Sequence, residues 1–349
     1  MVTHLKYLYC FFFPVCVVSF LYTGPHSSLA ALAWTIPLWF VILLDWLSPK
    51  INPNQKKHLV STCYYDAILY ALSFLQFLII SLLLIYASHL QWDSADEIIS
   101  SIVNLIVLRI LVGTTSGSSA IIVAHELIHR SQLHMRIIGR LLLYTVCYEH
   151  FVIAHIRGHH VTVATPEDIA TARLGESFKT YWKRVFIGHF IYAWNSELDR
   201  LNLVNTPVYH YKMLANSVFQ GILIEFALLI MIIVFFGWAA GLIFLYQAYS
   251  GVRLLETINY YQHWGLEQGK DRNAMAWVNQ SSVTEYALVG LSNHIGHHQN
   301  SATLYQETPY SEQGPKMPYG YFVTNLWVKL NNKSYRQVCA DILKNGINY

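Results

Sequence analysis

Nine histidines stand at spacings that suit metal ligation. They are His125 and His129 in His-Glu-Leu-Ile-His, His155, His159 and His160 in His-Ile-Arg-Gly-His-His, His294, His297 and His298 in His-Ile-Gly-His-His, and a lone His263 in Asn-Tyr-Tyr-Gln-His-Trp-Gly. Residues three and four apart share one face of a helix, so each cluster can present its imidazoles together. Nine is too many for one tetrahedral ion. Adjacent residues diverge by about 100° on a helix, so His159 with His160, and His297 with His298, suit two neighbouring ions better than chelation of one. The pattern predicts two metal ions of octahedral type in a polar pocket. For His4, His26, His58, His89, His134, His150, His189 and His210 an ordinary hydrogen-bonded core or surface role suffices.

The choice of metal follows from the donors. Imidazole suits Zn, Cu, Fe and Ni, and the Glu-x-x-His pairs of ferritin-like di-iron proteins are missing. His125-Glu-Leu-Ile-His129 alone also fits a zinc protease with Glu126 as base, but that reading leaves most of the other histidines unexplained. A zinc pair would carry out hydrolysis, which needs water. Two histidine-bound irons beside lipid would activate O₂ toward an apolar substrate.

The elements that must position these residues are apolar helices. The chain has 349 residues, 54% hydrophobic and 12% charged, with mean hydropathy +0.34; a soluble domain carries about 25% charged residues. A membrane span needs about 20 apolar residues. Six stretches qualify: Leu5–Tyr22, Leu29–Leu47, Ala67–Ala87, Ile98–Val123, Ala215–Phe236 and Trp238–Ile258. The expected fold is therefore all-α, a single polytopic membrane domain over residues 1–349 with six spans and a histidine-rich cytoplasmic cap. Thr23–Ser28, Ser88–Glu97 and Gly237 hold no Lys or Arg, whereas Lys50, Lys56, Lys57 and the basic residues of 130–212 and 270–344 lie on the other side. The positive-inside rule puts both termini and all nine histidines in the cytoplasm. The first span also fits a signal peptide cleaved near Ala31-Leu-Ala33, but the remaining 34–47 would be too short to cross.

Other function classes find little support. The net charge is only +3 and the basic residues are dispersed, so no nucleic-acid surface is expected. The five cysteines contain no Cys-x-x-Cys pair, and there is no Gly-x-G-x-x-G loop for a nicotinamide cofactor. A transporter would need polar residues across the bilayer midplane, whereas these histidines gather at one face.

The four histidine motifs, with Ala-Thr-Pro-Glu-Asp (164–168) and Leu-Gly-Glu-Ser (174–177), resemble those of the bacterial alkane hydroxylases within the fatty acid desaturase-like superfamily. The resemblance runs from about Ser116 to Gly320. The histidine boxes alone also fit membrane fatty-acid desaturases and acyl-lipid hydroxylases; Asn-Tyr-x-x-His-x-Gly marks the hydroxylase branch, shared with xylene and cymene methyl hydroxylases. The resemblance implies a non-haem di-iron monooxygenase of the bacterial inner membrane that hydroxylates a terminal methyl group of a medium-chain hydrocarbon. It would use O₂ and electrons from rubredoxin and a NAD(P)H-dependent rubredoxin reductase, and the nine motif histidines would be its iron ligands. Gln262 stands where the family usually has Glu, and Asn293, Ile295 and Gly296 replace a more polar run.

Ligating imidazoles usually pass their second N–H to a carboxylate or carbonyl. Glu256, Glu126 and Asp168 are the leading candidates for that role, with Glu149, Glu167, Glu176 and Glu285 behind them. Glu256 lies inside the last span, where it either supports the site or pairs with Arg253 or Arg109. Gly113, Gly117, Ala120 and Ala124 form a small-residue face that serves helix packing or, alternatively, a slot for an extended hydrocarbon. Arg130, Arg136, Arg140, Lys179, Lys183 and Arg184 form a cationic surface suited to an acidic electron carrier.

Overall fold

The computed structural model describes residues 3–53, 60–266 and 275–345. Lys56, Lys57 and Lys270 lie outside the described residues. Every regular element among those described is helical, and the β pairing is limited to two isolated bridges, Lys50 with Ser281 and Val278 with Lys316. Five helices are long and apolar enough to cross a membrane: α1 (His4–Thr23), α2 (Ser28–Trp46), α3 (Thr62–Ser88), α4 (Ala95–Ile128) and, later in the chain, α8 (Ser217–Phe236). Between α4 and α8 come α5 (Leu133–Tyr144), the broken helix α6 over residues 151–162 and α7 (Phe178–Leu201). After α8 come α9 (Trp238–His263), α10 (Ser282–Ala287), α11 (His294–Gln299), α12 (Tyr321–Leu330) and α13 (Asn332–Asn345).

Four of the expected spans correspond directly to apolar helices. The fourth is longer than expected. Its start is set by a capping box, in which the Ser94 hydroxyl accepts from Glu97 N and the Glu97 carboxylate accepts from Ser94 N. From there α4 runs 34 residues, about 51 Å at 1.5 Å per residue. A bilayer core is about 30 Å thick, so a helix that crosses it also carries its far end, with His125, well beyond the hydrocarbon.

The sixth expected span, Trp238–Ile258, is helical as part of the 26-residue α9, but α9 falls outside the set that is apolar enough to cross on its own terms. It carries Gln247, Glu256, Asn259 and Gln262, all buried. Gln247, Glu256 and Gln262 find partners on other segments, and Asn259 bonds to Glu256 within α9 itself. Gln247 Nε2 donates to Thr145 O at 2.7 Å, Ser116 Oγ donates to Gln247 Oε1 at 2.9 Å, and Gln76 Nε2 of α3 donates to Ser116 Oγ at 3.1 Å. Such a buried polar chain fixes the register of α3, α4 and α9, because any slip leaves an amide unsatisfied in an apolar setting.

The small-residue face of α4 packs against α9. A Cβ on Gly117 would lie 2.7 Å from Leu254 Cδ2 and 3.0 Å from Gly251 O, and one on Gly113 would lie 2.5 Å from Ser250 Cβ. At Gly117 the seam favours the packing explanation over an open slot. The same stretch, Ser116–Ala120, is a π turn within α4. One extra residue in a turn rotates everything downstream by about 100°, which sets the direction in which His125 points.

The tail is anchored to the end of α2 by one carboxylate. Asp45 is buried and accepts from Ser281 Oγ, from Thr284 Oγ1 at 2.7 Å, and from the backbone N–H groups of Phe322 and Val323 at 3.0 and 3.1 Å. It thus joins α2 to the start of α10 and the start of α12. Gly117→Ala should destabilise the protein by about 1–3 kcal/mol through overpacking. The check is a melting curve of the purified protein in detergent, where an unchanged midpoint would show that the α4–α9 seam is not tight at this point.

Candidate metal centre

Four segments deliver the nine histidines. His125 lies on the last two turns of α4 and His129 caps its C-terminus. His155, His159 and His160 come from α6, whose stretch Ala154–His159 is a second π turn. His263 is the last residue of α9, and α11 supplies His294, His297 and His298. A close backbone approach holds α11 in place: a Cβ on Gly296 would lie 2.6 Å from Pro309 O, so the segment after α11 folds directly over it.

The rings sort into two groups. His125, His129, His155, His160 and His297 form one, and His159, His263, His294 and His298 form the other; within each, the ligand atoms lie within 4.8 Å of one another. The adjacent pairs part, one member to each group, both in α6 and in α11. The groups stand side by side, with the His160 and His298 ring centroids 4.7 Å apart.

In the first group the Nε2 atoms of His129 and His155 are 3.2 Å apart, those of His155 and His160 2.9 Å, and those of His160 and His297 3.2 Å. In the second, His294 Nε2 is 3.1 Å from His263 Nε2 and 3.0 Å from His298 Nε2. The Nε2 atoms of His125 and His159 are buried with no hydrogen-bond partner. Neutral imidazole has one acceptor and one donor nitrogen, so these short contacts turn lone pairs toward a common point. Burial, and then repulsion from neighbouring rings, push His129 down to about 4 and His160 down to about 2, and drive His155, His294, His297 and His298 well below the usual histidine range. The rings are therefore neutral near pH 7, which is the ligating form. Converging Nε2 donors with orphaned buried members fit a pair of metal ions.

Of the three expected supporting carboxylates, Asp168 touches a motif histidine: its Oδ2 is 2.8 Å from His159 Nδ1. Thr171 Oγ1 donates to the same oxygen at 2.7 Å, and Ala170 N donates to Oδ1. Burial pushes the Asp168 carboxyl up, but the His159 ring and these hydrogen bonds hold it well below the usual carboxylate range. His263 Nδ1 is held by a carbonyl instead, Met275 O at 2.8 Å. Glu126 turns to Arg130 at 2.9 Å and to Tyr305 N at 3.3 Å. Glu256 pairs neither with Arg253 nor with Arg109. It lies 3.3 Å from His189 Nδ1 and accepts from Tyr148 OH at 3.0 Å, Tyr181 OH at 3.3 Å and Asn259 Nδ2 at 3.1 Å.

His189, Tyr148 and Tyr181 are thus the buried residues that the motifs do not reveal. They lie far from Glu256 in sequence and carry no spacing signal. Phe151 joins this cluster to the centre, stacking on His155 with centroids 4.9 Å apart and lying 6.2 Å from His189. Gln262 Nε2 donates to Tyr321 OH at 2.9 Å, tying α9 to α12, and Asn293 Nδ2 donates to Glu285 Oε1 at 3.2 Å.

The cationic surface is smaller than the sequence suggests. Arg130 is buried between Glu126 and Asp66, Arg140 pairs with Glu149, and Arg184 makes a two-pronged contact with Glu176 while donating to Ile169 O and Thr171 O. Arg136 donates to Arg130 O and Ser131 O. Lys179 and Lys183 remain exposed on one turn of α7.

The described residues form an all-helical, apolar architecture that gathers the histidine boxes into one place, and the sequence comparisons say which family shares those boxes. The fatty acid desaturase family model matches residues 100–314, more than half of the chain and all nine histidines. The chain belongs to the fatty acid desaturase family. Within it the chain is similar to alkane 1-monooxygenases. Alkane 1-monooxygenase 1 of Pseudomonas aeruginosa is 36% identical over 217 residues, covering 60% of this chain and 56% of that protein. Alkane 1-monooxygenase 1 of Alcanivorax borkumensis is 31% identical over 295 residues, 81% and 71% of the two chains, and its alkane 1-monooxygenase 2 is 28% identical over 329 residues, 89% and 84%. The match spans a little over half the length of the Pseudomonas aeruginosa relative.

Asp168→Asn should weaken metal retention by roughly 10–100-fold, the usual cost of losing a hydrogen-bond partner behind a ligating histidine. Competition with a graded chelator series, read by metal content, measures it directly. Retention equal to that of the unaltered protein would remove Asp168 from the site.

Proposed function

We propose that this chain is a di-iron membrane monooxygenase that hydroxylates a terminal methyl group of a medium-chain alkane or related hydrocarbon. The observation that carries this reading is the sorting of nine buried or half-buried imidazoles into one group of five and one of four. In this reading all nine are iron ligands, and each adjacent pair serves both ions. The overall reaction is R–CH₃ + O₂ + 2 e⁻ + 2 H⁺ → R–CH₂OH + H₂O. Two non-haem irons, when bound, supply the O₂ activation.

The protein's own residues do the rest. Asp168 fixes the tautomer and orientation of His159, and Met275 O does the same for His263. The segment after α11 covers the centre through Gly296 and shields it from water. Tyr148, His189 and Glu256 form a buried proton-holding relay behind Phe151. α9 acts as a sixth membrane helix, satisfied by its neighbours, and the chain is a single integral domain with both termini and the histidine centre on the cytoplasmic side of a bacterial inner membrane. Electrons come from a separate acidic one-electron carrier of the rubredoxin type, reduced by its own NAD(P)H-dependent reductase, and it docks near Lys179 and Lys183. The names of the relatives in Pseudomonas and Alcanivorax support the choice of alkane as substrate.

Protein purified without chelator should carry close to two iron atoms per chain. In reconstituted membranes with NADH, a reductase and rubredoxin it should convert an alkane to the 1-alcohol, identified by mass spectrometry. Stoichiometric zinc in fully active protein would exclude the di-iron reading. An alkene product from an acyl lipid would instead make it a desaturase on the same scaffold.

A further inference from the structure

A cavity of about 590 Å³ lies between α2, α4, α9 and α12, a volume typical of small-molecule sites. Most of its wall is apolar, with Leu38, Ile110, Leu254 and Ile258 among the lining residues. Three cations also face it: Arg109 from α4, Arg253 from α9 and Lys329 from α12. Among the described residues no Asp or Glu lines it, and none of the three cations has a carboxylate partner.

What contacts these cations do make leave their charge uncompensated. Arg109 lies over the Tyr246 ring at 5.4 Å and Arg253 over the Phe178 ring at 5.7 Å. Arg253 Nε is buried with no acceptor. Lys329 is exposed on α12 and lines the same cavity as Arg109 and Arg253, so the three charges share one space. A charge in an apolar or membrane setting is costly, and such residues normally have a partner or a ligand. Here the missing component is an anion.

The geometry points to a binding site for an acyl-chain amphiphile with an anionic head group, carboxylate or phosphate, one chain of which occupies the cavity. The head sits among Arg109, Arg253 and Lys329, and the tail follows the apolar wall. Guanidinium groups suit this task because they bind carboxylate or phosphate oxygens in a forked, charge-assisted way. The chain direction follows from the helices. Arg253 is ten residues before His263, about 15 Å along α9, and Arg109 is sixteen residues before His125, about 24 Å along α4. Ile258 and Tyr261, at the other end of the lining, are five and two residues from His263. The tail is therefore directed from the cations toward the histidine end of the protein. Binding here does not require occupied histidine groups, so its failure is separable from failure of the metal reading.

The test uses the full chain in nanodiscs of zwitterionic lipid, with bound molecules counted by native mass spectrometry. The probes are palmitate, hexadecanol as its uncharged counterpart, and phosphatidylglycerol doped into the disc. One palmitate or one phosphatidylglycerol per chain should be retained, roughly tenfold or more tightly than hexadecanol. Retention of palmitate identifies a free acid as the natural source, and retention of phosphatidylglycerol alone identifies a bilayer lipid. Arg253→Gln should weaken the anion about tenfold and leave hexadecanol unchanged; Lys329→Gln, at an exposed position, should act in the same direction with no demand on helix packing. Equal retention of palmitate and hexadecanol, anion binding indifferent to both substitutions, or retention of neither anion would overturn the assignment.

Discussion

Nine imidazoles, six buried and three half-buried, converge in two groups at one place, and the rest of the structure answers to that constraint. Nitrogen–nitrogen contacts of 2.9–3.2 Å place acceptors where at most one proton can be shared, and two of the donor atoms have no partner. Buried polar atoms without partners cost about 1–3 kcal/mol each. The cluster is positioned by elements that lie outside it. It persists because helices fixed elsewhere hold it: α4 by its capping box and its seam with α9, α9 by the Gln76–Ser116–Gln247 chain, α11 by the backbone that covers Gly296, and the tail by Asp45. Rigid elements that fix a site's side chains from outside are the usual division of labour.

Two kinds of helical irregularity serve this purpose. The π turns at Ser116–Ala120 and Ala154–His159 precede or contain motif histidines. Each shifts the helical phase, so side chains that a regular helix would point elsewhere reach a common centre. Single-turn π segments are frequent at functional sites for this reason. The first is also where α4 touches α9 through Gly117, so phase and packing are set at the same place.

Local periodicity made part of this legible in the sequence. The spacing of the histidines, the parting of His159 from His160 and the apolar runs of α1, α2, α3, α4 and α8 all depend on neighbours within a few residues. What escaped were pairings between distant segments. Glu256 was expected beside an arginine or the centre, and its partner is His189, which looked like an ordinary core residue. Arg130, Arg140 and Arg184 looked like a docking surface because their carboxylate partners Asp66, Glu149 and Glu176 are placed by folding alone. Asp45 gave no signal, because its acceptor role depends on two helix starts more than 230 residues away. α9 is a helix as expected, but its polarity is reconciled only by the helices around it.

The adjacency of His159 to His160 and of His297 to His298 has a consequence for assembly. Two donor groups joined through a single peptide bond, at two separate places, cannot be ordered independently. Whatever pins the rings of one group restricts the backbone that carries the other, so the ordering entropy of the second group is largely removed by filling the first. In the di-iron reading proposed above, the two halves of the centre would therefore load as a unit, with half-filled molecules scarce at equilibrium, and a lesion in either α6 or α11 would empty both positions rather than one.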